Sequence, residues 1–221
     1  MKINNRLKTV GDLVQDNSTC LDVGCDHAFL DIYLEKSQRG ITAIASDVAE
    51  GPLEQAKANI KREGLENKIE VRLGNGLDPY TNDIDTVIIC GMGGRNMIGI
   101  FKNNPKKLKN IETLIISPNN YQEDVKLYLC KNGFYIYDEV FVKEKKFIYQ
   151  IVVLKKGKKR YTKRQYFFGP IFLIKKDNLF NEYYDRELKT RELMLSLLPK
   201  NFYLKRLKIK KEIKLIKEEL K

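Results

Sequence analysis

Asp22-Val23-Gly24-Cys25-Asp26-His27-Ala28 is the stretch on which the fold turns. It follows an apolar run, Thr19 to Val23, and leads into a helical pattern, the place where a nucleotide-binding β-α unit carries its glycine-rich loop. In a G-x-G-x-x-G fingerprint the second glycine lets the backbone approach a pyrophosphate. Here Asp26 stands at that place, and a carboxylate repels phosphate. The loop therefore fits a ligand that carries positive charge and no phosphate.

Outward from this stretch, strand and helix patterns alternate. Asn4 to Gln15 places Leu7, Val10, Leu13 and Val14 at helical spacing ahead of the first strand. His27 to Ser37 reads as a helix, Ile41 to Ser46 as a second strand ending in Asp47, and Gly51-Pro52 opens a helix that runs toward Gly64. Ile69 to Leu73, Asp85 to Cys90 and Thr113 to Ser117 are further strands, with helices around Asn96 to Phe101 and over Gln122 to Lys131. The continuous apolar run in Asp85 to Cys90 is that of a parallel strand buried on both faces. Two β-rich runs, Phe134 to Val142 and Phe147 to Leu154, close the series as a hairpin. The expectation is an α/β fold with a doubly wound, seven-stranded Rossmann-like sheet whose last strand is antiparallel, the plan of class I methyltransferases. Beyond it, Phe180, Tyr184, Leu188, Leu195 and Leu198 form one helical stripe and Phe202, Ile209, Ile213, Ile216 and Leu220 a second, separated by Pro199. These predict a C-terminal antiparallel helical hairpin of coiled-coil type. The boundary is expected at the basic segment Lys155 to Arg160, giving domains over 1–155 and 156–221.

The formal charge of +12 is placed unevenly. Residues 1–140 carry 17 Lys/Arg against 20 Asp/Glu, whereas residues 141–176 carry 12 against the single Glu144. A lysine-rich proteome would spread lysine evenly, so the concentration points to a polyanion partner, nucleic acid first. Cys20, Cys25, Cys90 and Cys130 form no C-x-x-C pair and read as free, buried thiols. With His27 the only histidine, no metal site is expected. Residues 1–16 hold several charges and no long apolar run, so neither a leader nor a membrane span is expected and the location is cytoplasmic.

Ligands of a doubly wound sheet bind outside the carboxyl ends of the strands. Gly24, Asp26 and His27 follow the first strand, and S-adenosyl-L-methionine, with an ammonium, a sulfonium and no phosphate, is the ligand that suits them. Asp26 is equally placed to cap the following helix. Asp47 lies 23 residues after Gly24, near the spacing at which an acid accepts ribose hydroxyls, or it caps the next helix. Asn75 and Gly76 sit where an amide can read an adenine edge, in a stretch that also reads as a plain turn. Gly91 and Met92 open a loop of three glycines in four residues, fit to lie beneath a methyl donor or to serve as a flexible connection. That loop lacks the Asn/Asp-Pro-Pro-aromatic side chains used to methylate exocyclic amines, which favours a ring atom as acceptor.

Together with Phe29-Leu30, Ile32-Tyr33-Leu34, Glu50-Gly51-Pro52, Gly74-Asn75-Gly76-Leu77, Gly91-Met92-Gly93-Gly94, Ser117-Pro118-Asn119-Asn120 and Phe168-Gly169-Pro170, the opening stretch resembles the bacterial tRNA adenine-22 N1-methyltransferase family over nearly the whole chain. The resemblance implies methyl transfer from S-adenosylmethionine to N1 of an adenine in the D-arm of tRNA. Asp26 would then stabilise the cationic product. Phe29 and Tyr33 are candidate stacking residues, and Lys155, Lys156, Lys158, Lys159 and Arg160 would hold tRNA phosphates. Asn75, Phe29 and Asp31 depart from the aspartate, tyrosine and proline frequent at those places. A Rossmann-like RNA-binding module without catalysis and a methyltransferase for another substrate are the rival readings. A monomer is expected, with dimerisation through the hairpin left open.

Overall fold

The computed structural model describes residues 3–221. Helix α1 (Asn5–Asp12) is capped by Asn4, whose Oδ1 accepts the Leu7 amide at 2.8 Å. The alternating series follows: β1 (Thr19–Val23), α2 (Phe29–Lys36), β2 (Thr42–Asp47), α3 (Glu50–Arg62), β3 (Glu70–Leu73), β4 (Thr86–Cys90), α4 (Gly94–Asn103), the short α5 (Pro105–Leu108), β5 (Thr113–Ser117), α6 (Gln122–Lys131) and the hairpin β6 (Phe134–Glu144) and β7 (Phe147–Lys156). One seven-stranded sheet results, ordered β3-β2-β1-β4-β5-β7-β6. The first five strands are parallel, and β7 runs antiparallel between β5 and β6. The doubly wound plan and the antiparallel final strand are therefore as the sequence predicts.

Alternation along the strands buries both faces of the sheet. Leu21, Val87, Ile89, Leu114 and Ile116 face one layer with Met97, Phe101, Val125 and Leu129. Their sequence neighbours Cys20, Ile88 and Ile115 face the other with Val10, Leu30 and Leu34. Each such fully buried aliphatic side chain contributes ~1.5–3 kcal/mol. Both faces being covered explains why β4 and β5 read as unbroken apolar runs.

The chain divides into two compact units, 1–173 and 174–221. The first unit thus runs past the expected boundary at Lys155 to Arg160 as far as residue 173. Its helix α7 (Lys163–Phe168) starts from a capping box in which Thr162 and Gln165 satisfy each other's amides. The Tyr161 hydroxyl both receives the Ile136 N–H and donates to the Ile136 carbonyl, closing the outer edge of β6. Phe168 and Phe172 are fully buried, and Glu139 accepts the amides of Ile171 and Phe172 while meeting Lys126 Nζ at 3.2 Å. Helix α8 (Phe172–Lys175) follows.

In the second unit, α9 (Asn178–Leu197) and α10 (Tyr203–Glu219) pack antiparallel, because Lys176 meets Glu219, Arg191 meets Glu212 and Arg206 meets Leu195. Arg191 and Arg206, which break the apolar stripes, have other work. Arg191 bridges Glu187 and Glu212, and Arg206 donates to the carbonyls of Leu195 and Leu198 at the end of α9.

Candidate active site

The carboxyl ends of β1 and β4 open on a cavity of about 370 Å³ whose lining includes Arg6, Asp22, Gly24, Asp26, His27, Phe29, Cys90 and Gly91. The loop after β1 is held from behind. The amides of Gly24 and Cys25 both donate to the Ser46 carbonyl, at 2.8 and 2.9 Å, and Asn59 Nδ2 donates to the His27 carbonyl at 3.0 Å. Between these anchors two non-glycine residues are left-handed, Asp26 at φ +53° and Ala28 at φ +56°. That conformation is costly and persists where surroundings impose it, characteristically at functional sites. In consequence α2 begins at Phe29, not at the expected His27, and its N-cap Ala28 offers no side-chain bond. Asp26 does not cap the helix; its carboxylate is 73% exposed at the cavity rim, 3.6 Å from His27 Nε2. His27 Nδ1 is buried without a hydrogen-bond partner, and its ring packs 5.4 Å from that of Phe29.

Two residues that the sequence reading did not assign complete the cavity. Asp22, inside β1, is buried, and burial, followed by the Asp31 and Asp47 carboxylates, pushes it well above the usual carboxylate range. A cationic ligand group would relieve that. An acid within an otherwise apolar strand was the available signal. Arg6 comes from α1; its guanidinium stacks 4.6 Å from the Tyr149 ring centroid, and a Cβ on Gly91 would lie 3.2 Å from its Nη2. It is half-buried and, among the described residues, makes no hydrogen bond or ion pair. No local motif marks Arg6, since only the fold carries α1 to β4.

A second cavity, about 420 Å³, is lined by Asn75, Asp78, Met92 and Asn96 among others. Met92 joins the two, its Cε lying 3.9 Å from where a Gly24 Cβ would stand. Gly76 is left-handed at φ +59°, and a Cβ there would strike Ile100 at 2.7 Å, so packing alone demands this glycine. Asp47 lies at the end of β2, where its Oδ1 accepts the Ala49 amide at 3.0 Å and its carbonyl accepts that of Gly74. It turns the chain toward α3 and lines neither cavity.

Other expected site residues lie elsewhere. Tyr33 packs against α1, with its hydroxyl donating to Asp12 Oδ1 at 2.5 Å, and is absent from the cavity lining. Lys155 pairs with Thr113 and Tyr135, at the end of the sheet opposite the cavity. Its ammonium lies 4.0 Å over the Tyr137 ring, and that of Lys159 lies 4.8 Å over Tyr135. Lys158 and Arg160 are exposed, whereas Lys156 Nζ is buried without a hydrogen-bond partner and is not presented to a polyanion. Cys20 and Cys25 are buried, Cys90 and Cys130 half-buried, and all four are free thiols.

The chain matches the family model of TrmK, tRNA (adenine(22)-N(1))-methyltransferase, over residues 20–218. It is 32% identical over 158 residues to the tRNA (adenine(22)-N(1))-methyltransferase of Bacillus subtilis, an alignment spanning 71% of this chain and 66%, just under two thirds, of that relative. A Streptococcus pneumoniae protein solved in complex with S-adenosyl-L-methionine superposes with a TM-score of 0.90 at 34% identity, covering 100% of both chains. The TrmK of M. capricolum, in complex with S-adenosyl-homocysteine, gives 0.86 at 28% identity, covering 100% of this chain and 98% of its own. The family match spans both compact units, and the loop chemistry at Asp26 agrees with it: this chain belongs to the tRNA (adenine(22)-N(1))-methyltransferase family, enzymes that use S-adenosylmethionine.

Proposed function

We propose that this chain methylates N1 of the adenine at position 22, in the D-arm of tRNA, and that the 370 Å³ cavity receives the methionine half of the cofactor. The observation that carries this is the charge pattern of the lining. Asp22 and Asp26 can take the ammonium and the unpaired Arg6 can take the carboxylate, so the cavity matches a zwitterion. Gly24 and Gly91 leave room for close approach; Asp47 can accept ribose hydroxyls on its second oxygen, and Asn75 faces the cavity that would hold the adenine.

The cofactor supplies an electrophilic methyl, which the lone pair of adenine N1 takes as the carbon–sulfur bond breaks, leaving S-adenosylhomocysteine and a cationic base. The protein's part is alignment, exclusion of water and stabilisation of that charge. Asp26 stands on the rim, where its carboxylate can face the base as charge develops, and Phe29 offers a ring for stacking at the same mouth. Since N1 carries no proton at neutral pH, no strong base is required. Lys155, Lys158, Lys159, Arg160 and the basic α10 would hold phosphates of the folded RNA.

The test is to incubate the protein with S-adenosylmethionine and unmodified tRNA and to map the product by mass spectrometry. 1-Methyladenosine should appear at position 22 and vanish when that adenine is replaced by guanine. Arg6→Ala should weaken cofactor binding, measured by calorimetry, by ~1–3 kcal/mol as a charge-assisted bond to the carboxylate is lost. Unchanged affinity would remove Arg6 from the site.

A further inference from the structure

Residues 1–140 are net acidic, yet residues 86–111 contain no acid and five cations, Arg95, Lys102, Lys106, Lys107 and Lys109. This run begins at the glycine loop after β4. Arg95, Ile98, Gly99 and Lys102, at helical three- and four-residue steps, share one face of α4. With Tyr121 and Asp124 from the start of α6 they line a groove of about 450 Å³. Both lining cations lie over rings, the Arg95 guanidinium 4.4 Å from the centroid of Tyr121, which also lines the groove, and Lys102 Nζ 5.9 Å from that of Tyr128, which does not.

The head of the groove is built with care. Gly94 donates its amide to Asn120 Oδ1 at 3.0 Å, and a Cβ on Gly94 would come within 2.4 Å of the Asn120 carbonyl oxygen, so only glycine lets the β4 and β5 loops lock together. Tyr121 then follows in a left-handed conformation, φ +54°, that a bulky residue adopts only under constraint, and its ring is 42% exposed. Arg95 stacks on that ring and, among the described residues, spends none of its N–H donors on protein. Asp124 is the one carboxylate in the lining.

We infer that the α4–α6 groove is a single-stranded RNA subsite that takes the nucleotide flanking the methylated adenosine, its base stacked at Tyr121 and its phosphates on Arg95 and Lys102. An aromatic platform interleaved with unpaired cations is the chemistry that holds an unstacked strand, and the acid-free run of five cations that feeds the groove favours RNA over a protein partner. An adenosine turned out toward the cavity leaves its neighbour unstacked, and Arg95, at one end of the groove, directly follows the glycine loop whose Gly91 lines the cavity. The inference rests on the reading of the chain as a tRNA methyltransferase.

The experiment compares wild-type protein with Arg95→Glu/Lys102→Glu, and Tyr121→Ala with Tyr121→Phe, by tRNA affinity across 50–200 mM salt, cofactor affinity and thermal melting. The double variant should bind tRNA at least tenfold more weakly. Its salt slope should be shallower by about 0.7 for each single-stranded phosphate that the two cations no longer neutralise, with cofactor affinity and melting unchanged. Tyr121→Phe should bind as wild type does, and Tyr121→Ala more weakly. If wild-type protein methylates tRNA while the double variant keeps both its affinity and its slope, the groove is overturned alone; if wild-type protein neither binds nor methylates tRNA, the underlying reading falls and takes the groove with it.

Discussion

The cavity at the loop end of the sheet and the seam where residues 161–173 pack on β6 both bury polar groups, but they treat them in opposite ways. Around Glu139 the groups are matched: Lys126 Nζ, the Ile171 and Phe172 amides and the carboxylate satisfy one another, and Tyr161 completes the Ile136 backbone. Around the cavity they are not. Among the described residues Arg6 makes no hydrogen bond or ion pair, His27 Nδ1 is orphaned, and Asp31, next in α2 to the lining residues Phe29 and Leu30, is 1% exposed with neither oxygen meeting a partner in another residue. Matched groups hold a structure together; unmatched ones cost stability and are kept where something else will bind. The two regions should therefore answer mutation with opposite signs.

The largest effect is expected in the seam. Lys126 and Glu139 are both fully buried, so Glu139→Ala leaves an ammonium without its counter-charge and two amides without an acceptor. A loss of ~3–5 kcal/mol in urea unfolding follows. A loss below ~1 kcal/mol would mean that Lys126 reaches water once its partner is gone, and the seam would then be no better matched than the cavity.

The next effect has the other sign and depends on pH. Burial pushes Asp31 up to about 7, far above its unfolded value of 3.8. Below the unfolded value the group is protonated in both states and contributes nothing. As pH rises from ~4 to ~7 the unfolded chain ionises first, so folding is increasingly penalised, and above ~7 the penalty is complete. Asp31→Asn should thus stabilise the protein by ~2–4 kcal/mol at pH 8 and by almost nothing near pH 4. A gain that stays constant across this range would show that packing, not ionisation, is what Asn relieves.

These two positions also mark what the sequence makes legible. Alternating strand and helix patterns reveal the doubly wound plan and its antiparallel last strand, and Asp26 reveals the ligand class because one carboxylate changes what a loop can hold. Gly24 and Gly91, marked by their places after two strands, both line the cavity. Arg6 stays hidden because its role depends on α1 meeting β4 across more than eighty residues. The start of α2 is misplaced because left-handed Asp26 and Ala28 leave no trace in residue type. The boundary is expected at Lys155 to Arg160 because lysines dominate there, whereas the first compact unit runs on to residue 173 through Phe168 and Phe172, both fully buried. The +5 run beside the active site vanishes when charge is averaged over 140 residues.

The smallest effect separates the regions most cleanly. Thr162 caps α7 by accepting the Gln165 amide at 3.2 Å, while Gln165 Oε1 accepts the Thr162 amide at 2.9 Å. Thr162→Ala removes one half of this box and should lower stability by ~1 kcal/mol. The cap belongs to the seam and touches nothing in the cavity lining, so cofactor affinity measured well below the melting temperature should not move. If affinity falls with stability, α7 supports the cavity as well as the sheet, and the contrast between a matched seam and an unmatched site becomes a coupling between them; if only stability falls, the two regions are energetically separate and the orphaned groups around Asp22 are left to the ligand alone.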